Sequence, residues 1–271
     1  MPKTIYDTPE MLASTMYRQQ HRANLFRSAL GLGAALQGNK DIVVLDMSYW
    51  QVDTKINYDL LAANIDGVIL RGVYGIWKDT RFDIHYKNFH DRGVPIGTYG
   101  YLIGNKTGKS QARALRDAVA DKELLLEIWA DIEDRRLGTK LSRFVADQFV
   151  EEADKLFGKT TNDYTGPYAW KEIMKYGGHS HRKLWIANYG VSSPRMPIGG
   201  DGVTWWLWQY TDRGRHPGYL SSLDTNKFNG TNAKWTSWVG GEVEQPLTLK
   251  SLKLEVDAIE ERVKFIEKTY M

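Results

Sequence analysis

Two carboxylates stand two residues apart near the middle of the chain. They are Asp131 and Glu133, at the end of an apolar run, Leu124 to Asp134, that reads LLLEIWADIED. With a period of two, Leu124, Leu126, Ile128, Ala130 and Ile132 share one face, and Glu127, Trp129, Asp131 and Glu133 share the other. The first face suits packing against helices. The second needs a place where charge is solvated or used, and the C-terminal rim of an α/β barrel is such a place. Two more acids end apolar runs in the same way, Asp46 in VVLDMSYWQ and Asp224 in SLDTNKF. In a parallel barrel the four candidate catalytic residues Asp46, Asp131, Glu133 and Asp224 converge on one rim. Tyr99, Tyr101, Trp185, Trp208 and Gln209 fall at neighbouring strand ends and are the candidate substrate-binding residues. Glu127, deeper on the same face, is assigned a structural part.

Other chemistries lack their residues. The six His are at 21, 85, 90, 179, 181 and 216, none at a strand end, so no metal is assigned. His179 and His181 flank Ser180 in a glycine-rich loop and read as solvated. With no Cys, disulfides and thiolate metal sites are excluded. There is no GxSxG elbow for a Ser nucleophile, and no phosphate- or dinucleotide-binding glycine loop, so no cofactor is implied. What remains is carboxylate acid/base chemistry, as in glycoside hydrolysis. Residues two apart on a strand have Cα atoms ~6.6 Å apart. That is compatible with the ~5–5.5 Å carboxylate separation of retaining enzymes and the ~6.5–9.5 Å of inverting ones. Ten Trp and 15 Tyr are many for 271 residues, and some are expected to stack against sugar rings.

The composition, 42% hydrophobic and 25% charged, is that of a soluble globular protein with one large domain or two small ones. A net charge of +3 without a Lys/Arg block gives no case for nucleic acid. No apolar run approaches the ~20 residues of a membrane span. Asp7 and Glu10 lie where a signal peptide would be basic, so no export signal is expected.

The elements that must position the acids follow from the pattern. Residues 1–40 read as a helical leader, with Thr8-Pro9-Glu10 as its cap and Gly31, Gly33 and Gly38 as a joint. From Asp41, eight strand-like runs follow: Ile42–Met47, Gly67–Arg71, Val94–Tyr101, Leu124–Glu133, Asp163–Tyr168, Lys183–Tyr189, Thr204–Tyr210 and Ser222–Asn226. Helical segments such as Tyr58–Ala63, Phe82–Asp91, Ser110–Ala120 and Arg143–Phe157 separate the earlier ones. This alternation implies an α/β fold with a parallel sheet, and eight runs imply a closed barrel whose last strands lack helices. The domain spans residues 41–238, with a linker over 239–248. Over 249–271, Leu249, Leu252, Val256, Ile259, Val263, Ile266 and Tyr270 are spaced 3, 4, 3, 4, 3, 4. That heptad seam predicts an amphipathic helix that pairs chains in a short coiled coil, and docking on the barrel is the alternative.

In order along the chain, these motifs resemble glycoside hydrolase family 25, the Chalaropsis-type lysozymes or N-acetylmuramidases. DMSYWQ at 46–51 is similar to the family's opening D-x-S-x-x-Q, and GVILRG at 67–72 with DTRFDIHYKNF at 79–89 to its second strand and helix. GVPIGTYGY at 93–101 resembles G-x-P-x-G-x-Y-H-F, and WADIE at 129–133 carries the D-x-E signature. YTGPYAW, LWIANYG and WLWQYTDRG also fit, and DTNKFNG at 224–230 resembles the closing D-x-N-x-F-x-G. One departure is Gly100, where the family often has His; Tyr99 keeps the aromatic role.

The resemblance implies a modified TIM-like barrel, five βα units followed by three strands. It implies hydrolysis of the β-1,4 bond between N-acetylmuramic acid and N-acetylglucosamine in peptidoglycan, the expected partner. By position, Glu133 is then the general acid, and Asp131 orients the 2-acetamido group or stabilises the oxocarbenium charge. Asp46 and Asp224 hold the network and raise the proton affinity of Glu133. The other reading is a non-catalytic wall-binding or structural virion module on the same barrel. The segment character points to a phage-encoded lysin acting at the bacterial wall, as an endolysin or a virion-associated lysin.

Overall fold

The computed structural model describes residues 41–175, 179–196 and 204–240. The leader at 1–40 and the heptad helix at 249–271 lie outside them. The elements are β1 (Val43–Met47), a 3-10 turn (Asp53–Lys55), α1 (Tyr58–Ala62), β2 (Gly67–Tyr74), β3 (Trp77–Lys78), α2 (Phe82–His90), β4 (Ile96–Tyr101), α3 (Gly108–Val119) and β5 (Ile128–Asp131). Then come α4 (Arg143–Phe157), β6 (Asn162–Thr165), α5 (Pro167–Met174), β7 (Leu184–Ala187), β8 (Trp205–His216), β9 (Tyr219–Phe228) and α6 (Asn232–Trp238).

Eight strands close into a barrel. β1, β2, β4, β5, β6, β7 and β8 run parallel in that order, and β9 returns antiparallel between β8 and β1. Among the described residues β1, β2, β4, β5 and β6 are each followed by a helix, β7 and β8 are not, and α6 follows β9. Short β3 folds back on the end of β2 as a hairpin. Local chemistry starts the helices. Asn57, Thr107, Ser142 and Thr231 each cap a helix through the side-chain oxygen, and Pro167 opens α5, where its missing N–H costs nothing. That Pro ends the predicted Asp163–Tyr168 run at Thr165 and starts a helix that the pattern of apolar residues does not announce. At Gly108 a Cβ would lie 2.1 Å from the Val145 carbonyl, so only Gly lets α3 approach α4 this closely.

Alternation sorts the strands into two layers. Leu45, Leu70, Ile128, Ala130 and Ile132 face the helices, with Leu115 and Phe149 opposite. Val44, Ile69, Trp129, Tyr164, Trp185 and Leu207 fill the barrel. Their rings meet edge to face, Trp129 to Trp185 at 5.6 Å and Tyr164 to Trp185 at 4.5 Å between centroids. They form a floor beneath the C-terminal rim. Two expectations for the central run need correction. Regular strand covers only Ile128–Asp131. Leu126, before it, therefore escapes the alternation and lies in the barrel interior rather than against the helices. Glu127 closes the opposite end, pairing with Lys183 and accepting the Trp238 indole N–H at 3.0 Å.

His179 also differs from expectation. Its side chain is enclosed rather than solvated, 8% exposed, with Nδ1 3.0 Å from both Asp163 carboxylate oxygens and Nε2 3.0 Å from Asp147 Oδ1. Asp163 points outward from β6 toward α4, because its neighbour Tyr164 points in. The two carboxylates hold the His179 pKa above its ordinary value against the effect of burial.

Candidate active site

Register brings the acids together. Asp46 on β1 lies directly opposite Asp224 on β9, and the two carboxyls share a hydrogen bond. Asp46 Oδ2 also accepts Gln209 Nε2 and Asn226 Nδ2, both at 2.9 Å. Each amide is fixed in turn. Gln209 Oε1 accepts the Tyr164 hydroxyl at 2.9 Å and the Tyr189 hydroxyl. Asn226 Nδ2 donates to Val44 O at 3.0 Å, and Asn226 Oδ1 accepts Trp185 Nε1 at 2.6 Å. A buried carboxylate is thus held by a fully partnered network, which favours one arrangement.

Asp131 ends β5 one layer above Trp129 and is 3% exposed. Its Oδ1 is buried with no hydrogen-bond partner. Glu133 lies just beyond the strand, half-buried. Asp134, next in sequence, is buried on a two-point ion pair with Arg136 at 2.7 and 3.0 Å, which holds its carboxyl below the usual range.

Burial is the largest influence on each of the four acids. It pushes Asp46 up to about 6, against its hydrogen bonds from Asn226 and Gln209. Burial and then the Asp46 charge push Asp224 up to about 8. Asp131 is raised by burial, then by Glu133 and Asp46, and Arg71 opposes the rise. Glu133 is raised by burial and then by Asp224, with Arg135 and Arg136 opposing. The four titrate as a group. Four such carboxyls cannot all ionise together, so the cluster keeps protons near neutrality. The hydroxyls of Tyr99 and Tyr164 are raised by burial and stay neutral donors. A proton-bearing carboxyl beside an ionised one can protonate a leaving oxygen and stabilise the cation left behind.

The candidate residues therefore divide. Asp46, Asp131, Glu133, Asp224 and Gln209 form one cluster. Tyr99 lies among them, within reach of the charges of Asp46, Asp131 and Asp224, and Tyr101 faces Asp131 and Glu133. Trp185 does not reach the rim. It is 1% exposed in the barrel floor, and its contribution is the hydrogen bond that fixes Asn226. Trp208 is outside the site, packed with Leu184 and Ile186 on the outer wall, its indole donating to Asn188 O at 2.8 Å. Plain alternation on β8 is the cause: Leu207 and Gln209 point into the barrel, so Trp208 between them points out.

Several site residues went unrecognised in the sequence. Asn226 stands two after Asp224, the spacing that puts both on one strand face. Arg71 bears the same relation to inward-facing Ile69. Tyr74 stacks on Tyr101 at 5.2 Å and on Trp77 at 6.2 Å, with the Arg136 guanidinium 5.5 Å from the Tyr74 ring. Trp77, on the β3 hairpin, is 53% exposed, so the three rings form a shelf leading away from the acids. Among the described residues no group of three or more His, Asp or Glu side chains is arranged to hold a metal ion.

Comparison with known proteins shows the family. The model of glycosyl hydrolases family 25 matches residues 45–219, which hold Asp46, Asp131 and Glu133. Lysozyme M1 of Streptomyces globisporus is 29% identical over 206 residues, covering 70% of this chain and 68% of that protein. Protein YegX of Escherichia coli O157:H7 is 28% identical over 211 residues, covering 74% and 75%. A bacterial lysozyme from Streptomyces coelicolor superposes with a TM-score of 0.65 at 25% identity, covering 74% of this chain and 97% of that one. The chain belongs to glycosyl hydrolase family 25 and is a glycoside hydrolase.

Proposed function

We propose that the chain is a peptidoglycan hydrolase, a muramidase that cleaves the β-1,4 bond between N-acetylmuramic acid and N-acetylglucosamine. The observation that carries this reading is the cluster of four mutually raised carboxyls on one barrel rim beside a shelf of aromatic rings. Glu133 is the general acid. It is the least enclosed of the raised acids at the end of β5, and it holds a proton that the glycosidic oxygen can take. Asp131, with one buried oxygen unpartnered, faces the sugar and accepts from the 2-acetamido N–H or stabilises the developing oxocarbenium charge. Asp46 and Asp224 share a proton and keep Glu133 protonated by like-charge proximity. Tyr99 and Tyr101 line the site. The Tyr101, Tyr74 and Trp77 rings offer flat faces to the neighbouring sugars.

The biological setting belongs to the same proposal. A phage-encoded lysin, either an endolysin or one carried in the virion, accords with the character of residues 1–40 and 249–271. Residues 249–271 would join chains, and sedimentation of the full chain against residues 1–240 tests this: equal monomer masses would remove the coiled coil.

Mass spectrometry of purified peptidoglycan after digestion tests the activity. Fragments with N-acetylmuramic acid at the reducing end are expected. Reducing N-acetylglucosamine, or wall binding without release of reducing ends, would overturn the proposal.

A further inference from the structure

We propose that Arg71 is a positioning residue for the reaction: among the described residues the one cation enclosed in the barrel mouth, it places on Asp131 the negative charge that the reaction uses. This rests on the muramidase reading of the same site.

The argument starts from the strands. β1, β2, β4, β5, β6 and β7 carry a single basic residue between them, Arg71. The basic residues of β8 and β9 point elsewhere. Arg213 and Arg215 are exposed, His216 bonds Thr225, and Lys227 reaches outward to Asp41. Arg71 is 8% exposed. On β2 it alternates with helix-facing Val68 and Leu70, so it shares the inward face with Ile69. In register it lies beside Tyr99, the ring at the centre of the acids.

Its guanidinium is built into place. Nε and Nη2 both donate to Asp79 Oδ2 at 2.8 Å. The Asp79 side chain is fully buried and takes two backbone donors as well, Tyr49 N at 3.0 Å and Arg81 N at 2.9 Å. The Asp79 N–H returns to Gly72 O at 2.9 Å, tying the hairpin of β2 and β3 to this pair. The Tyr49 ring covers the guanidinium at 4.8 Å. A cation so immobilised is more than a counter-ion for Asp79, since a surface pair would have served the hairpin equally.

The groups around it are Asp79 and the Tyr49 ring, which hold it, Tyr99 beside it from β4, and Asp131 at the end of β5, which meets Asp46 and Glu133 in turn. Arg71 opposes the rise in proton affinity at Asp131 and at Tyr99, and at Asp131 no other cation is a leading influence. Glu133 answers instead to Arg135 and Arg136 outside the barrel. Different cations thus serve the two acids of the D-x-E pair. The enclosed one favours the charged form of Asp131, and the outer two lie where solvent weakens them. That asymmetry separates a proton donor from an ionised stabiliser two residues apart.

The test uses two changes of opposite sign. Asp79→Asn keeps an oxygen for the guanidinium but frees its charge to act on the acids. Arg71→Met with Asp79→Asn removes both charges and leaves no buried ion unpaired. The pH dependence of kcat/KM is measured on purified peptidoglycan. The Asp131 carboxyl is followed in parallel by carbon-13 NMR, assigned with Asp131→Asn, so that a failure of the muramidase reading leaves this inference decidable. The double variant is expected to move the acidic limb and the Asp131 midpoint upward by about one pH unit or more. Asp79→Asn is expected to move both downward, and Arg71→Lys to restore the wild-type limb to within about half a unit. A purely structural role would lower kcat with the limb unmoved. An unmoved Asp131 midpoint, or shifts of the same sign in the two variants, would overturn the inference. Wild-type protein that releases no reducing ends would overturn the muramidase reading alone.

Discussion

Replacing Asp224 with Asn is expected to stabilise the protein in a pH-dependent way while lowering its activity. In the unfolded chain an Asp titrates near 3.9. In the fold, burial and the facing Asp46 push Asp224 up to about 8. Between those values the native state holds a proton that the unfolded chain has lost, so stability falls as pH rises through that window. The gap of about four pH units corresponds to a ceiling of ~6 kcal/mol at 1.36 kcal/mol per unit. Solvent at the rim and the proton shared with Asp46 reduce this, and about 2 kcal/mol is the expected contribution at pH 9. Asn keeps a donor for Asp46 and removes the charge. Calorimetry should therefore find the variant close to wild type at pH 5 and melting about 4–8 °C higher at pH 9. A gain of the same size at both pH values, or a loss at pH 9, would refute the electrostatic reasoning. An active-site acid that costs stability is the pattern expected where function requires like charges to be enclosed together.

Asn226→Ala removes hydrogen bonds to Asp46, Val44 and Trp185 at once and strands two buried polar groups. A loss of about 3–5 kcal/mol is expected in urea unfolding, with the acidic limb of activity moving upward as Asp46 loses a donor. Gly72→Ala would place a Cβ 2.3 Å from the Leu115 side chain and 2.9 Å from Thr98 Oγ1, and should lower stability by about 1–3 kcal/mol in the same assay. His179→Gln removes the cation between Asp147 and Asp163. Because the folded pKa of His179 is raised, its contribution is fully present below about 6.5 and is lost as pH rises through the folded value. The variant should melt about 4–9 °C lower at pH 5.5 and by much less at pH 9.

Asp46, Asp131 and Glu133 were legible because each ends an apolar run on or just after a parallel strand, and those ends meet on one rim; Asp224 reaches that rim from the middle of antiparallel β9, opposite Asp46. Period-two alternation placed Asp131 inward beside Trp129 and left Ile128 and Ala130 for the helices. Gly100, which departs from the family pattern, turned out to lie on that outer face, where a Cβ would meet the Phe149 ring at 3.0 Å. The departure therefore leaves the site untouched. The same alternation separates Trp208 from Gln209, because neighbours on one strand take opposite faces and the two cannot both reach the rim. Trp185 was placed in the right barrel but at the wrong depth, since strand ends near β7 are set by the lengths of its neighbours. Arg71 and Asp79 are eight residues apart and meet only because a two-residue strand folds back on β2. His179 appeared loop-like because its partners come from α4 and β6, far away in the chain.

The central claim is that Glu133 supplies the proton. Glu133→Gln keeps shape and hydrogen-bonding capacity and removes the titratable group. Release of reducing ends from purified peptidoglycan should fall by about a thousandfold or more, with the melting temperature unchanged or raised. A variant that folds normally and releases reducing ends at the wild-type rate would contradict the account.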